Sequence, residues 1–271
     1  MQHKPTRSPP PRHRADSATP RHGLARVLNR LGLCSRSQAQ ALVRAGRVRV
    51  NGRVVRDPEQ PADAARDRIE LDDAGVDAAP KVYLMLNKPR GYVTTARDEQ
   101  GRETVYTLLQ NIQIPEASAR WLAPVGRLDK ASEGLLLFSN DSAWAARLTD
   151  PVTHLDKTYH VQIDALPGAR LLRRLRQGSE DGGELLAAKS ARELRRGEKN
   201  AWLEIVLDEG RNRHIRRLLA AFDVAVLRLV RVAVGPLALG ELAKGQCRAL
   251  NDAEVAALRD AAGMRAGAAP R

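Results

Sequence analysis

The sequence holds two cysteines, Cys34 and Cys247, far apart and outside any C-x-x-C pattern. That excludes a disulfide framework and a cysteine zinc site, and it suits a reducing compartment. The six histidines form neither H-x-x-x-H nor H-E-x-x-H, so no metal is expected. The nucleotide fingerprints G-x-G-x-x-G and G-x-x-x-x-G-K-[S/T] are both missing, which removes the usual support for dinucleotide or P-loop enzymes. Aromatics are few: three tryptophans, four tyrosines and two phenylalanines in 271 residues. No apolar stretch approaches the roughly 20 residues of a membrane span. The longest candidate, "AVLRLVRVAVGPLALG", is interrupted by Arg228 and Arg231. The first 22 residues lack the apolar segment of a secretory signal. The expectation is a cytoplasmic protein that makes no membrane contact.

Acids are outnumbered. Lysine and arginine total 45 against 32 aspartates and glutamates, a formal net charge of +13, with a pI near 10.5. A balance this basic points to a polyanionic partner, nucleic acid first. The length allows a small domain and a medium one, each with a buried core. Residues 1–22 are rich in proline and arginine and nearly free of acids, and read as a disordered basic tail. Residues 261–271 close the chain in the same manner. Residues 74–80 are small and flexible and read as a linker, leaving 23–73 and 81–260 as the two folded units.

In the first unit, Leu24, Val27, Leu28 and Leu31 recur at helical spacing, and Gly32 stops that helix. "SRSQAQALVRAG" opens with Ser35 and has Gln38 three residues on, the pattern of a capping box. "RVRVNGRVV" then alternates arginine and valine before Asn51 and Gly52, the dipeptide of a type I′ hairpin. Val48 and Val50 share one face, and Arg47 and Arg49 the other. Arg44, Arg47, Arg49 and Arg53 thus gather around a helix end and a hairpin with no acid interleaved, a candidate phosphate-contacting cluster. Two helices followed by a V-x-V-N-G hairpin resemble the S4 RNA-binding domain over about fifty residues. The resemblance implies recognition of structured RNA by shape and backbone.

From Lys81 onward the chain turns to short apolar strands: "VYLMLNKP", "GLLLFSND", "TYHVQID", "WLEIVLDEG" and "LRLVRVAVGPL". Helical patterns lie between them, near residues 103–109, 143–149 and 168–176. This irregular alternation favours an α+β fold with a mixed, mostly antiparallel sheet over a doubly wound one.

Four stretches of this unit carry chemistry. In "VGRLDKASEGLLLFSND", Arg127 and Asp129 stand on a turn just ahead of an apolar strand. Taken alone, such a pair is most simply a turn salt bridge. In "DEGRNRHIRRLLAAF", Ile215, Leu218, Leu219 and Phe222 define the core face of a helix whose first turns are crowded by Arg211, Arg213, Arg216 and Arg217. Cations at a helix N-terminus are unfavourable by a few tenths of a kcal/mol and call for an anion nearby. "KTYHVQID" places Tyr159 on a strand, where a tyrosine either joins the core or stacks on an extruded base. "LMLNKPRGYVTT" ends a strand at Lys88 and Pro89.

In this order the four stretches resemble the pseudouridine synthases, in particular the branch that acts on ribosomal RNA and carries an N-terminal S4 domain. The resemblance implies that Asp129 is the essential catalytic carboxylate. It implies that Tyr159 packs against the target base, that Arg216 pairs with Asp129, and that Ile215 packs beneath it. Arg127, Lys88, Arg211, Arg213 and Arg217 join Arg44, Arg47, Arg49 and Arg53 as expected RNA contacts. The reaction moves no electrons to or from a carrier and imports no group, so neither cofactor nor metal is expected. The expected partner is ribosomal RNA or a subunit precursor, and the chain is expected to be a monomer. The competing reading is a non-catalytic S4-type RNA-binding or ribosome-assembly protein, which would have no need of Asp129 ahead of Arg216.

Overall fold

The computed structural model describes residues 21–96, 98–110 and 121–264. The basic tail expected at residues 1–22 falls outside these but for its last two residues, and most of 261–271 also lies outside. The chain forms two compact units: one comprises the residues through Val27 together with Ser37–Val76, the other Leu28–Arg36 and the chain from Asp77 on.

The first elements in order are β1 (His22–Gly23), α1 (Leu24–Arg30), α2 (Arg36–Arg44), β2 (Val48–Val50), β3 (Arg53–Val55), β4 (Pro61–Ala62), β5 (Ile69–Leu71) and β6 (Ala74–Gly75). They make a four-stranded sheet in the order β3-β2-β5-β6 and a small β1-β4 pair. Leu24, Val27 and Leu28 are buried, as their helical spacing requires. Val48 and Val50 are buried while Arg49 between them is not, so the period of two survives in the structure. Asn51 and Gly52 both take positive φ, 52° and 78°, the backbone of a two-residue type I′ turn.

The second unit continues with β7 (Tyr83–Lys88), α3 (Val105–Gln110), β8 (Ala123–Val125), β9 (Glu133–Ser139), α4 (Ser142–Thr149), β10 (Lys157–Ile163), α5 (Ala169–Gln177), β11 (Ser179–Asp181), β12 (Glu184–Leu186), β13 (Ser190–Arg196), β14 (Ala201–Leu207), α6 (His214–Ala220), β15 (Val226–Val234), β16 (Leu237–Ala238), β17 (Cys247–Ala249) and α7 (Asp252–Ala261). Its main sheet runs β13-β14-β10-β15-β9-β7-β17, with β16 beside β15 and β8 beside β9. The fold is α+β, and β9 with β15 is its parallel pair; the other pairings of this sheet are antiparallel. Strand β9 is buried along its whole length, which is why its sequence is a continuous apolar run and not an alternating one. Strand β14 alternates, with Ala201, Leu203, Ile205 and Leu207 turned inward. The helices expected near 103–109, 143–149 and 168–176 appear as α3, α4 and α5. Helix α7, opened by a capping box of Asn251 and Glu254, was not foreseen.

The parallel β9–β15 contact is short, pairing Glu133 with Val230 and Gly134 with Arg231. A Cβ on Gly134, whose φ is +103°, would lie 2.2 Å from the Arg231 carbonyl oxygen. The glycine of "SEGLLL" therefore permits the approach of two strands far apart in sequence. On either side of this seam lie two apolar clusters. One gathers Val161, Leu203, Ile205, Ile215 and Leu218; the other gathers Leu135, Leu137, Trp144, Leu148 and Val234.

Candidate active site

The loop between β8 and β9 begins at Gly126, with φ +75°, and carries Arg127 and Asp129. Its backbone is fixed on both sides of the carboxylate. The Thr94 hydroxyl donates to the Leu128 carbonyl at 2.7 Å, and Ser132 N–H donates to Asp129 O at 3.0 Å. The ammonium of Lys88, at 0 % exposure, donates to Asp129 O at 3.1 Å, Ser132 O at 2.8 Å and Pro89 O at 3.1 Å. An ammonium has three donors, so all of them are used on the loop and its neighbour. Burial pulls the Lys88 pKa down to about 8, against the opposing pull of Asp129 and Glu133.

Asp129 itself is half-buried and lines a cavity of about 460 Å³ with Tyr159, Ile215, Arg216, Lys157 and Arg231. The cavity draws apolar lining from both clusters, Leu137, Leu148 and Val234 from one and Leu207 and Leu229 from the other. It therefore opens at the seam where β9 and β15 meet. Its volume lies within the range of small-ligand sites and suits one extruded nucleotide.

The cavity is cationic. Arg127, Lys157, Arg211, Arg213, Arg216 and Arg231 line it against two acids, Asp129 and Glu209. Glu209 is spoken for by Arg211 at 3.0 Å. Among the described residues Asp129 forms no ion pair, although its charge attracts both Lys88 and Arg216. Lys157 is pushed below the usual lysine range by burial first and by the neighbouring Arg231 second. A carboxylate with free oxygens, in a half-apolar cavity rimmed by cations, is equipped to take a proton or attack carbon next to a polyanion.

The structure brings together Asp129, Tyr159, Arg216, Ile215, Arg127, Arg211 and Arg213 at this one cavity. Tyr159 sits on β10 opposite Ile205 of β14 and Arg231 of β15, half-buried. Ile215 is buried beneath the cavity wall. Several expectations need correction. Arg211 and Arg213 precede the helix; α6 starts at His214, and Arg213 is its N-cap in the left-handed region. No ion pair joins Arg216 to Asp129. The guanidinium donates instead to Val226 O at 3.2 Å and Ala131 O at 3.4 Å, which ties α6 to the loop two residues past the carboxylate. Arg217 faces away: it donates to Asp181 at 2.5 Å and to Glu184 at 2.9 Å, so these acids of the β11–β12 hairpin supply the anion that its helix position calls for. Lys88 is buried and cannot reach RNA.

The first unit needs the same correction. Arg47 forms an ion pair with Asp72, and Arg49 with Asp73 at 2.9 Å. The acids lie more than twenty positions along the chain, and the antiparallel β2–β5 register, Val48 opposite Leu71, delivers them. Arg44 and Arg53 have no acid partner among the described residues.

Lys157 and Arg231 were missed. The visible signal for Arg231 was a charge that, with Arg228, interrupts an apolar strand sequence; it is 7 % exposed, and its Nε donates to Leu135 O at 2.8 Å. Among the described residues, no group of histidine, cysteine and acidic side chains is placed to hold a metal.

Both units have counterparts among known proteins. The family model described as RNA pseudouridylate synthase matches residues 82–221, and the S4 domain matches 23–69. An uncharacterized RNA pseudouridine synthase of Aquifex aeolicus is 38% identical over 241 residues, covering 89% of this chain and 94% of the relative. Ribosomal large subunit pseudouridine synthase B of Bacillus subtilis is 34% identical over 238 residues, covering 87% and 95%. A crystal structure of a pseudouridylate synthase superposes with TM-score 0.60 at 29% identity, covering 88% of this chain and 99% of that one.

Proposed function

The chain belongs to the RNA pseudouridylate synthase family, and we propose that it isomerises a uridine of ribosomal RNA to pseudouridine, with Asp129 as the essential carboxylate. The observation that carries the assignment of Asp129 is its place as the acid of the cavity that forms no ion pair, on a loop whose backbone is pinned from below.

The isomerisation breaks the N1–C1′ bond, turns the uracil and joins C5 to C1′; the C5 proton is lost and N1 gains one, so no atom is added or removed. Asp129 serves this either as base at C2′ or as nucleophile at C1′. Tyr159, on β10, forms a flat half-buried wall for the base and helps in removal of the C5 proton. Arg216 attracts the carboxylate while holding the loop through Ala131. The target must leave its stack at a cost of a few kcal/mol; the cationic cavity rim and the S4 unit supply binding to phosphates that offsets it. The name of the Bacillus subtilis relative makes a large-subunit transcript the first substrate to try.

The test uses purified protein with unmodified small- and large-subunit rRNA transcripts in separate tubes. Pseudouridine is mapped by carbodiimide adducts and primer-extension stops. A new stop from the wild type is expected, with Asp129→Asn slower by about 10²–10⁴-fold at unchanged RNA affinity. No stop on either transcript or on precursor particles, despite tight binding, would favour a non-catalytic RNA-binding protein.

A further inference from the structure

Strands β13, β14, β10 and β15 turn one face to the catalytic cavity and its core. Their other face carries Thr158, His160, Gln162, Trp202, Glu204, Arg228 and Val230, all half-buried. None of these side chains belongs to a hydrophobic cluster among the described residues. One row crosses all four strands: Arg195 opposite Trp202, Trp202 opposite Gln162, and Gln162 opposite Arg228. The guanidinium of Arg195 lies 5.1 Å from the centre of the Trp202 ring and that of Arg228 lies 5.7 Å from it. Beside the ring runs a groove of about 400 Å³ lined by His160, Leu194, Arg195, Trp202, Arg228 and Val230, none of them acidic.

The arrangement depends on a bulge. The β13–β14 register shifts between Glu193 and Arg195, so Leu194 and Arg195 together oppose Trp202. Strict alternation would turn Arg195 to the core face; the extra residue re-aims it onto the tryptophan. The charges on this face are unevenly committed. Glu204 is held by Arg192 at 2.7 and 2.9 Å. Glu133 is held by Arg228 at 2.8 and 3.0 Å and by Lys244 at 2.5 Å. Arg195 is exposed and has no acid partner among the described residues. An open sheet face with a half-exposed aromatic and an uncommitted guanidinium is the combination that binds unpaired RNA by stacking and phosphate contact.

We propose that this face is a second RNA-binding surface, on which an unpaired nucleotide of the substrate stacks in the groove beside Trp202 while its phosphate is held by Arg195. The proposal rests on the reading of the chain as an enzyme of large structured RNA, and it places part of that RNA around the edge of the sheet, away from Asp129.

The test is filter binding of the full-length protein to the two rRNA transcripts, read together with single-turnover pseudouridine formation. Trp202→Ala should weaken RNA binding roughly tenfold, in the range for one stacked base, with the rate at saturating enzyme unchanged. Trp202→Phe should stay within about twofold of wild type. Arg195→Ala should lower the salt dependence by about 0.7 in slope, one single-strand phosphate. Wild-type affinity and salt slope in folded Trp202→Ala and Arg195→Ala would overturn the proposal and leave the arginine–tryptophan row as packing over an open sheet. If Trp202→Ala does not fold, Arg195→Glu decides: weakened binding supports the surface and unchanged binding overturns it. Should the wild type form no pseudouridine, the enzymatic reading fails, and the binding comparison still decides this one.

Discussion

The buried ammonium of Lys88 is 3.1 Å from the backbone carbonyl oxygen of Asp129 and donates to it. The two residues are 41 positions apart, one ending β7 and the other on the loop before β9. Lys88 therefore acts on the carboxylate from behind, by fixing the main chain that carries it.

Lys88→Met should remove the ammonium donor from two loop carbonyls, Asp129 O and Ser132 O, and from Pro89 O, and so loosen the frame of Asp129. A large fall in the rate of pseudouridine formation is expected, with RNA affinity little changed, because Lys88 touches no surface. Stability should also depend on pH in a distinctive way. The folded-state pKa is about 8, below the ordinary value of 10.5, because burial disfavours the charge. Below pH 8 the folded state bears the full cost of holding Lys88 charged. Between about pH 8 and 10.5 the unfolded chain binds the proton and the folded chain does not, so wild-type stability rises with pH relative to Lys88→Met, with a limiting slope of about 1.4 kcal/mol per pH unit. Urea unfolding of both proteins at pH 7 and 9.5 measures it; parallel pH dependence would refute it.

Gly134→Ala should be among the most damaging single-methyl changes in the chain. Its Cβ would overlap the Arg231 carbonyl at 2.2 Å and the Arg231 nitrogen at 2.8 Å, from a φ that disfavours side chains. Both neighbours are backbone and cannot rotate away. A loss of about 3 kcal/mol or more is expected, or roughly 6–12 °C in Tm for a unit of this size. Differential scanning fluorimetry checks this, and a shift below 2 °C would contradict the seam as described.

Two arginines four residues apart should behave oppositely. Arg213 is exposed at the cavity rim and has no acid partner among the described residues, whereas Arg217 is bound to Asp181 and Glu184. Arg213→Ala should weaken RNA binding and reduce the salt slope by about one phosphate. Arg217→Ala should lower Tm by loosening the β11–β12 hairpin and leave the slope alone. Filter binding at several salt concentrations separates the two.

In the S4 unit, Arg44→Ala and Arg53→Ala should each reduce RNA affinity more than Arg47→Ala or Arg49→Ala. The latter two guanidiniums are already committed to Asp72 and Asp73, so an RNA phosphate must compete with a carboxylate for them. Equal losses from all four substitutions would show that these ion pairs yield to RNA.

The local content of both units was legible in the sequence because it depends on short-range rules. Alternation in "RVRVNG" with its Asn-Gly turn specifies a hairpin wherever it stands. Helical spacing marked α1, α4, α5 and α6, and the continuous apolar run in β9 marked a strand. The residues of the cavity were also legible, since Asp129, Tyr159, Arg216 and Ile215 stand in distinctive stretches. Tertiary structure decided what each charge does. A sequence shows that an arginine is present but not which acid a strand register carries to it, so Arg47, Arg49 and Arg217 looked free and are paired. It shows a lysine at a strand end but not that burial turns two of its three donors onto a distant loop. Arg216 was expected on Asp129 and reaches the backbone beside it. Lys157 and Arg231 became part of the cavity only when β10 paired with β15 and β15 met β9 at the seam that Gly134 allows. Long-range electrostatic partners follow from how strands align, and that alignment is a property of the whole folded sheet.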